Sequence, residues 1–480
     1  MNATDLIALL PLIILAATSL VVMILIAFYR DYRLTVVLTL AGMVGSFIAL
    51  PYALSVQPRQ VTPMLVIDGT SVFYIGLVLA TSFVVVLLSY QYFRDFDGNR
   101  EEYYLLLILA TLGSGVLVAS DHFASFFLGL EILSVSLYGL IAYPRHNRHR
   151  IEAAIKYLIL AGATSAFLLF GMALIYSVVG TLEFSSLASA APIDPGLNNV
   201  LLIGWGMLIV GIGFKLALVP FHMWTPDVYQ GAPAPVTGFV ATVSKGGMFA
   251  LILRYFSQVP IYEVASLWWV FAIIAIASML LGNLLALMQT NVKRVLAYSS
   301  ISHLGYLLIA FLSQGAQAQN AAAFYLVAYF ATTLSGFGVI TMLSNHENEL
   351  EDLEAYRGLF WKRPWLALVF SAALLSLAGL PPSAGLVGKI FVAAAGVNSA
   401  LWLLLIVLVV ASVIGVFYYF RIMLSLFRSP EPEEARSISA PSLTMIGNLT
   451  LAVLVILVVG LGVYPTPVIN IISRLIEGLS

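Results

Sequence analysis

Long apolar runs separated by short polar breaks occupy almost the whole chain. A helix of about 20 apolar residues crosses the hydrocarbon core of a bilayer. On that measure the pattern predicts fourteen spans, at 5–28, 34–56, 66–93, 103–119, 122–143, 151–179, 199–219, 234–256, 266–289, 295–313, 320–344, 365–398, 400–427 and 441–463. Prolines at 220 and 381–382 predict breaks in the seventh and twelfth spans, because proline removes a helix hydrogen bond and clashes with the preceding turn. No polar block is long enough to fold alone, so residues 1–480 read as a single transmembrane domain. The opening stretch MNATDLIALLPLIIL has no cation before its apolar run and reads as a first membrane helix rather than a signal peptide. Residues 185–199 read as a Pro/Asn-rich outer loop, and 344–364 and 429–441 as charged, solvated connectors. After the last span, PVINIISRLIEGLS is expected to lie along the membrane interface.

Charge tests the count. Of the 22 lysines and arginines, fourteen, from Arg30 to Arg436, fall in loops that follow odd-numbered spans, and three, Arg59, Arg254 and Arg474, fall on the other side. Cytoplasmic loops collect Lys and Arg, so both termini are expected on the non-cytoplasmic side. Composition agrees with this class: 61% of residues are hydrophobic, 9% are charged and mean hydropathy is +1.01, against roughly 25% charged in soluble domains. The fold class is therefore an all-α polytopic membrane protein. A net charge of -1 gives no basic face for nucleic acid. The absence of cysteine excludes disulfides, thiolate-held clusters and c-type haem from this chain. The six histidines are scattered without metal-ligand spacing.

Five basic residues fall inside predicted spans: Lys156, Lys215, Lys245, Lys389 and Arg421. Each charge at the centre of a membrane helix costs about 2.5–3.5 kcal/mol even on the insertion scale. Four lysines at that rate cost roughly 10–14 kcal/mol, comparable to the stability of a whole domain. They are expected to face the bundle interior and to carry function. Rival readings remain for two of them. Lys215, five residues before Pro220, sits where a side chain can snorkel. Lys156 has Glu152 four residues earlier, an ordinary i,i+4 ion pair.

Glu131 is the lone carboxylate well inside a span. It reads either as a hydrogen-bonded structural carboxyl or as the counter-ion of a neighbouring lysine, most simply Lys215. In the second reading its approach holds the lysine charged and its withdrawal favours proton release. His303, flanked by Ser299, Ser300, Ser302 and Tyr306, reads equally as a proton relay or as a structural histidine. A helix break beside Lys215 leaves backbone groups to be satisfied by protein or water, and so predicts a hydrated half-channel ending at that lysine. Glu131 precedes Lys215 by 84 residues and His303 precedes Lys389 by 86. Five-helix units 103–256 and 266–427 would then be inverted repeats of the transporter kind.

The stretches KLALVPFHMWTPDVYQGAPAPVTGF (215–239), VSKGG (243–247), NVKRVLAYSSISHLGY (291–306) and SLAGLPPSAGLVGKIFVA (376–393) carry a resemblance. With the fourteen-span layout, the chain resembles the antiporter-like proton-translocating membrane subunits of respiratory complex I and of related multi-subunit cation/proton antiporters. The resemblance implies a proton relay with Glu131 and Lys215 as the coupled pair of the first half-channel. It makes Lys245 the central relay, aided by His303, and Lys389 the terminal lysine toward the outer side. His222 matches a family histidine near the broken helix, and Lys156 and Glu152 match polar positions of the sixth span. A lysine on the broken twelfth helix argues against the M-type subunit, and the lack of a long C-terminal lateral helix against the L-type. The resemblance implies no cofactor in this chain, with NADH, FMN, iron–sulfur clusters and quinone in partner subunits. It implies antiporter-like M-type and small K-type neighbours in a bacterial inner membrane. A subunit of a multi-subunit sodium/proton antiporter is the alternative. A stand-alone solute transporter and an inert scaffold stand further off.

Overall fold

The computed structural model describes residues 2–145, 147–187, 195–259, 264–429 and 444–476. The Pro/Asn-rich loop 185–199 and the charged connector 429–441 lie largely outside the described residues. Asn2 caps a short helix, α1 (Ala3–Ala8), which leads into α2 (Leu10–Phe28), α3 (Tyr32–Ile48) and the short α4 (Leu50–Leu54). A small antiparallel hairpin follows, β1 (Arg59–Thr62) with β2 (Leu65–Ile67). The chain then passes through α5 (Gly69–Tyr92), α6 (Glu101–Ala119), α7 (Phe123–Ile141), α8 (Arg148–Val179) and the short α9 (Phe184–Leu187). Helix α10 (Pro195–Leu216) stops short of Pro220. Beyond the stop come α11 (Trp224–Gly231) and α12 (Ala234–Phe239), a π-helical turn at Val240–Ser244, and α13 (Lys245–Gln258).

The remainder comprises α14 (Ala265–Leu287), α15 (Val292–Leu312), α16 (Ala316–Leu343), the short α17 (Leu359–Lys362), α18 (Pro364–Ala378), α19 (Ala384–Asn398), α20 (Trp402–Phe427), α21 (Met445–Val463) and α22 (Thr466–Ile476). Among the described residues thirteen helices are long and apolar enough to cross a membrane. The predicted twelfth span accounts for the difference from fourteen. It is two half-helices, α18 and α19, of 15 residues each, or about 22 Å apiece.

Burial separates the bundle into a rim and a centre. Across an 18-residue stretch of the α12–α13 segment, of α15 and of α16, 94% of residues are buried, whereas the share is 28% in α8 and 33% in α20. The three central elements carry Lys245 and His303; the rim helices present long aliphatic faces outward. Helix α8 packs along α10, α14 along α15, and α16 against α5, α18, α19 and α21. The C-terminal α22 folds back onto α16 and α5 with Ile472 and Ile476 buried.

Candidate functional site

At the first break, the backbone groups that α10 leaves open are satisfied by protein. Trp224 donates its indole N–H to the Phe214 carbonyl at 2.9 Å, and Ser278 Oγ accepts from the Val219 N–H at 3.0 Å. Lys215, in the last turn of α10, is 2% exposed and points inward, not toward a lipid-facing helix end. Its Nζ donates to Ser134 Oγ and to the Tyr157 hydroxyl, both at 2.9 Å. Glu131 lies half-buried on α7 and accepts from Ser165 Oγ at 2.7 Å. No Glu131–Lys215 ion pair forms among the described residues: hydroxyls hold each group. A void of about 10 Å³ adjoins Lys215, lined also by Ser134, Thr164 and Ser165, the hydroxyl partner of Glu131, room for one water. Where the sequence predicts a hydrated half-channel, the void at this lysine is water-sized.

The π turn at Val240–Ser244 ends on Lys245. Such a turn shifts the ladder from i→i+4 to i→i+5 and frees a carbonyl; Ser114 Oγ donates to the Val243 oxygen at 3.1 Å. Lys245, 1% exposed, donates to Ser300 Oγ at 2.6 Å and lies 5.4 Å from the Tyr229 ring centre. Ser300 also accepts from the Tyr329 hydroxyl at 2.7 Å and meets the Tyr229 hydroxyl at 3.2 Å. One turn further along α15, His303 bonds the Tyr325 hydroxyl through Nδ1 (2.7 Å) and the Tyr419 hydroxyl through Nε2 (3.2 Å). Its ring lies 5.4 Å from both Tyr329 and Tyr306.

Lys389 completes this row. Its Nζ sits 5.2 Å from the Tyr306 ring centre and donates to the Leu377 and Ala378 carbonyls at 3.2 and 2.9 Å. Those are the open carbonyls at the C-terminal end of α18, where the helix dipole favours a cation. The structure thus sets Lys245, His303 and Lys389 in one row: Ser300 hydrogen-bonds Lys245 and Tyr329, and the rings of Tyr329 and Tyr306 lead past His303 to Lys389 at 5.2–5.4 Å. Lys215 stands apart with Glu131's neighbourhood, and shares no hydrogen-bonding partner with Lys245 among the described residues.

Two predicted residues lie elsewhere. His222 is buried in the turn between α10 and α11, hydrogen-bonds none of the lysines, and leaves its Nδ1 unpartnered among the described residues. Lys156 is 45% exposed and pairs with Glu152 at 2.9 Å and Asp227 at 2.8 Å. Lys156 faces an open cleft, which accounts for its exposure. Burial pushes the Asp227 carboxyl up, but hydrogen bonds from Lys156 and Arg294 outweigh it and hold the group below the usual carboxylate range.

Lys156, Glu152 and Asp227 line an open polar cleft of about 350 Å³ at the arginine-rich end, with Arg150, Gln230, Glu349 and Glu351. The 344–364 segment is therefore more than a solvated connector. Glu349 is 6% exposed at its side chain and pairs with fully buried Lys293 at 2.5 Å. Sequence reasoning missed Asp227, Lys293 and Glu349; the nearest signal was the placement of all three next to proline or loop boundaries rather than inside apolar runs.

A polytopic α-bundle with buried lysines at helix breaks, joined by hydroxyls and a histidine, defines a membrane protein of the proton-antiporter-like class. Comparison with known proteins gives the particular family. Residues 120–415 match the model of the NADH:quinone oxidoreductase/Mrp antiporter membrane family. NADH-quinone oxidoreductase subunit N of Nitrosospira multiformis is 49% identical, across 99% of this chain and 97% of that protein. A chain of respiratory complex I from Thermus thermophilus, solved with bound aureothin, superposes with a TM-score of 0.82 at 34% identity, over 96% of this chain and 98% of that one. A chain of the Mrp complex from Dietzia sp. DQ12-45-1b superposes at 0.86 over 100% of this chain and 98% of that one; at 19% identity this is a likeness of fold alone. The chain belongs to the NADH:quinone oxidoreductase/Mrp antiporter membrane family and, within it, to the NADH-quinone oxidoreductase subunit N relatives.

Proposed function

We propose that the chain moves protons as the N-type membrane subunit of a proton-pumping NADH:quinone oxidoreductase, through Glu131, Lys215, Lys245, His303 and Lys389. The observation that carries this is the burial of three lysines, 2%, 1% and 8% exposed, each held by neutral acceptors. A buried ammonium with neutral partners is poised to change charge when a carboxylate or another cation moves nearby. At an effective dielectric of about 20, moving a unit charge from about 10 to about 4 Å strengthens the interaction by roughly 2.5 kcal/mol. Glu131 and Lys215, held by Ser165 and Ser134 on the same small void, are placed to use that lever.

Lys215 passes its proton to Lys245; Ser300 and Tyr329 then lead to His303, and Tyr306 to Lys389. Lys156 and His222 flank the line as secondary groups. Electron transfer belongs to partner subunits that would hold NADH, FMN, iron–sulfur clusters and quinone, with M-type and K-type neighbours in the membrane. The arginine-rich end would face the cytoplasm of a bacterial inner membrane, with both termini outside. Segments 103–256 and 266–427 would be inverted repeats, each with one broken helix.

The test is Lys215→Ala in the assembled complex, reconstituted in liposomes. Protons moved per NADH oxidised should fall by roughly half or more, since a removed acid–base group costs its own step about 10²-fold, while electron transfer with an uncoupler persists. An unchanged yield would reject the assignment. Sodium-driven proton exchange without NADH would favour the antiporter alternative.

A further inference from the structure

Between Gly231 and Ala234 the helix is interrupted again, and backbone groups on both sides need partners. Lys293 donates to the Gln230 and Ala232 carbonyls at 2.8 and 2.7 Å. Glu349 accepts from the Ala234 N–H at 2.9 Å, and Lys293 closes the figure by donating to Glu349 at 2.5 Å. The Tyr92 hydroxyl also donates to Glu349 and accepts from Arg150 at 2.9 Å. Glu351 reinforces the same site by accepting from Gln230 at 3.1 Å and Asn291 at 2.9 Å. One loop carboxylate thus ties together α5, the start of α8, α15 and both sides of the interruption.

The position of this tie matters. The pinned segment leads through α12 and the π turn directly to Lys245, and begins in α11, whose Trp224 packs on Tyr157, the partner of Lys215. Lys293 stands on the same helix as Ser300 and His303. Lys215 and Lys245 share no hydrogen-bonding partner among the described residues, and residues 217–244, which connect them, are held at this interruption.

We propose that Glu349 is a positioning residue for proton transfer between Lys215 and Lys245: with Lys293 it clamps the interruption at Gly231–Ala234 and fixes the geometry between the two lysines. Neutralising it frees the segment, and a displacement of about 1 Å slows a transfer step roughly 10²-fold. The inference rests on the proton-conducting reading above, and its test separates the two.

In the assembled complex in liposomes, Glu349→Gln should lower protons moved per NADH by roughly half, with uncoupled electron transfer retained. Glu349→Asp keeps the charge for Lys293 and should recover most of the yield. A wild-type yield for Glu349→Gln overturns the proposal. Equal loss in Glu349→Asp and Glu349→Gln also overturns it, because the role would then be shape alone. Should Glu349→Gln fail to assemble, Tyr92→Phe removes a single hydroxyl donor; a reduced yield supports the clamp and a wild-type yield overturns it. Lys215→Ala is run alongside. Normal pumping by Lys215→Ala removes the functional reading itself, whereas loss there with normal pumping by Glu349→Gln removes the clamp alone.

Discussion

A lysine survives inside a membrane bundle only if its N–H donors find acceptors, and these lysines find different ones. Lys215 uses two hydroxyls, Lys389 two carbonyls at a helix end, and Lys293 two carbonyls and a carboxylate. The first two are held by neutral acceptors alone, the third by a carboxylate as well. At the cleft, Asp227 holds Lys156 and Arg294 at 2.8 Å each. Its carboxyl is lowered in the folded protein, so its stabilising contribution is present above the ordinary aspartate range of about 4 and is lost as pH falls through the lowered value. Asp227→Asn should therefore reduce the thermal stability of the purified complex at neutral pH and match wild type in acid; a pH-independent difference would contradict this. Lys215, Lys245, Lys389 and His303 were legible in the sequence because each interrupts an apolar run, where a charge is anomalous. Glu349 was not, because a carboxylate in a charged loop is ordinary until the loop is seen to fold inward. The partner of Glu131 was also not legible, since helix rotation decides whether it meets Lys215 or Ser165.

Helices here end where a titratable group is needed. The predicted breaks at Pro220 and at 381–382 are both present, and each has a lysine beside it. The second break is held by a close approach of α18 and α19. Gly379 closes α18 at φ +78°, and a Cβ there would lie 2.8 Å from Lys389 Cδ. A Cβ on Gly385 would lie 1.8 Å from the Ser376 carbonyl oxygen. Gly385→Ala must push the half-helices apart, at about 1–3 kcal/mol for overpacking, and draw Lys389 off its carbonyls. Less assembled complex and a lower proton yield in what does assemble are expected. Normal levels of both would show that α18 and α19 are free to adjust. Two elements left no sequence signal of this kind. The π turn falls in VATVS, without proline or glycine to mark it, and Ser114 Oγ donates to its Val243 carbonyl. The β1–β2 hairpin rests on strands of four and three residues, too short for a period to register.

Across the whole molecule, the two halves proposed as repeats meet beside the central lysine at one hydroxyl. Ser300, on α15 of the second half, accepts from Lys245 of the first half at 2.6 Å and from Tyr329 at 2.7 Å. A serine hydroxyl has two lone pairs and one proton, so with both acceptor positions filled its own proton goes to the Tyr229 hydroxyl at 3.2 Å, back in the first half. Lys245 reaches Tyr329 through this atom, and Tyr329 in turn lies 5.4 Å ring to ring from His303; Ser300 is 2% exposed, so no bulk water substitutes for it. Ser300→Ala leaves Lys245 without that acceptor, a loss of about 1–3 kcal/mol for an unsatisfied buried donor and more for a charged one. The charged form of Lys245 is thus disfavoured by roughly tenfold or more, and proton yield per NADH should fall while Lys215 and its partners are untouched. Ser300→Thr keeps the hydroxyl and should pump close to wild type if the added methyl fits. The measurement is proton uptake by reconstituted complex, normalised to uncoupled electron transfer. Equal pumping by the alanine and threonine variants would mean that the halves exchange protons by a route that bypasses Ser300, and the row from Lys245 to Lys389 would then be structural.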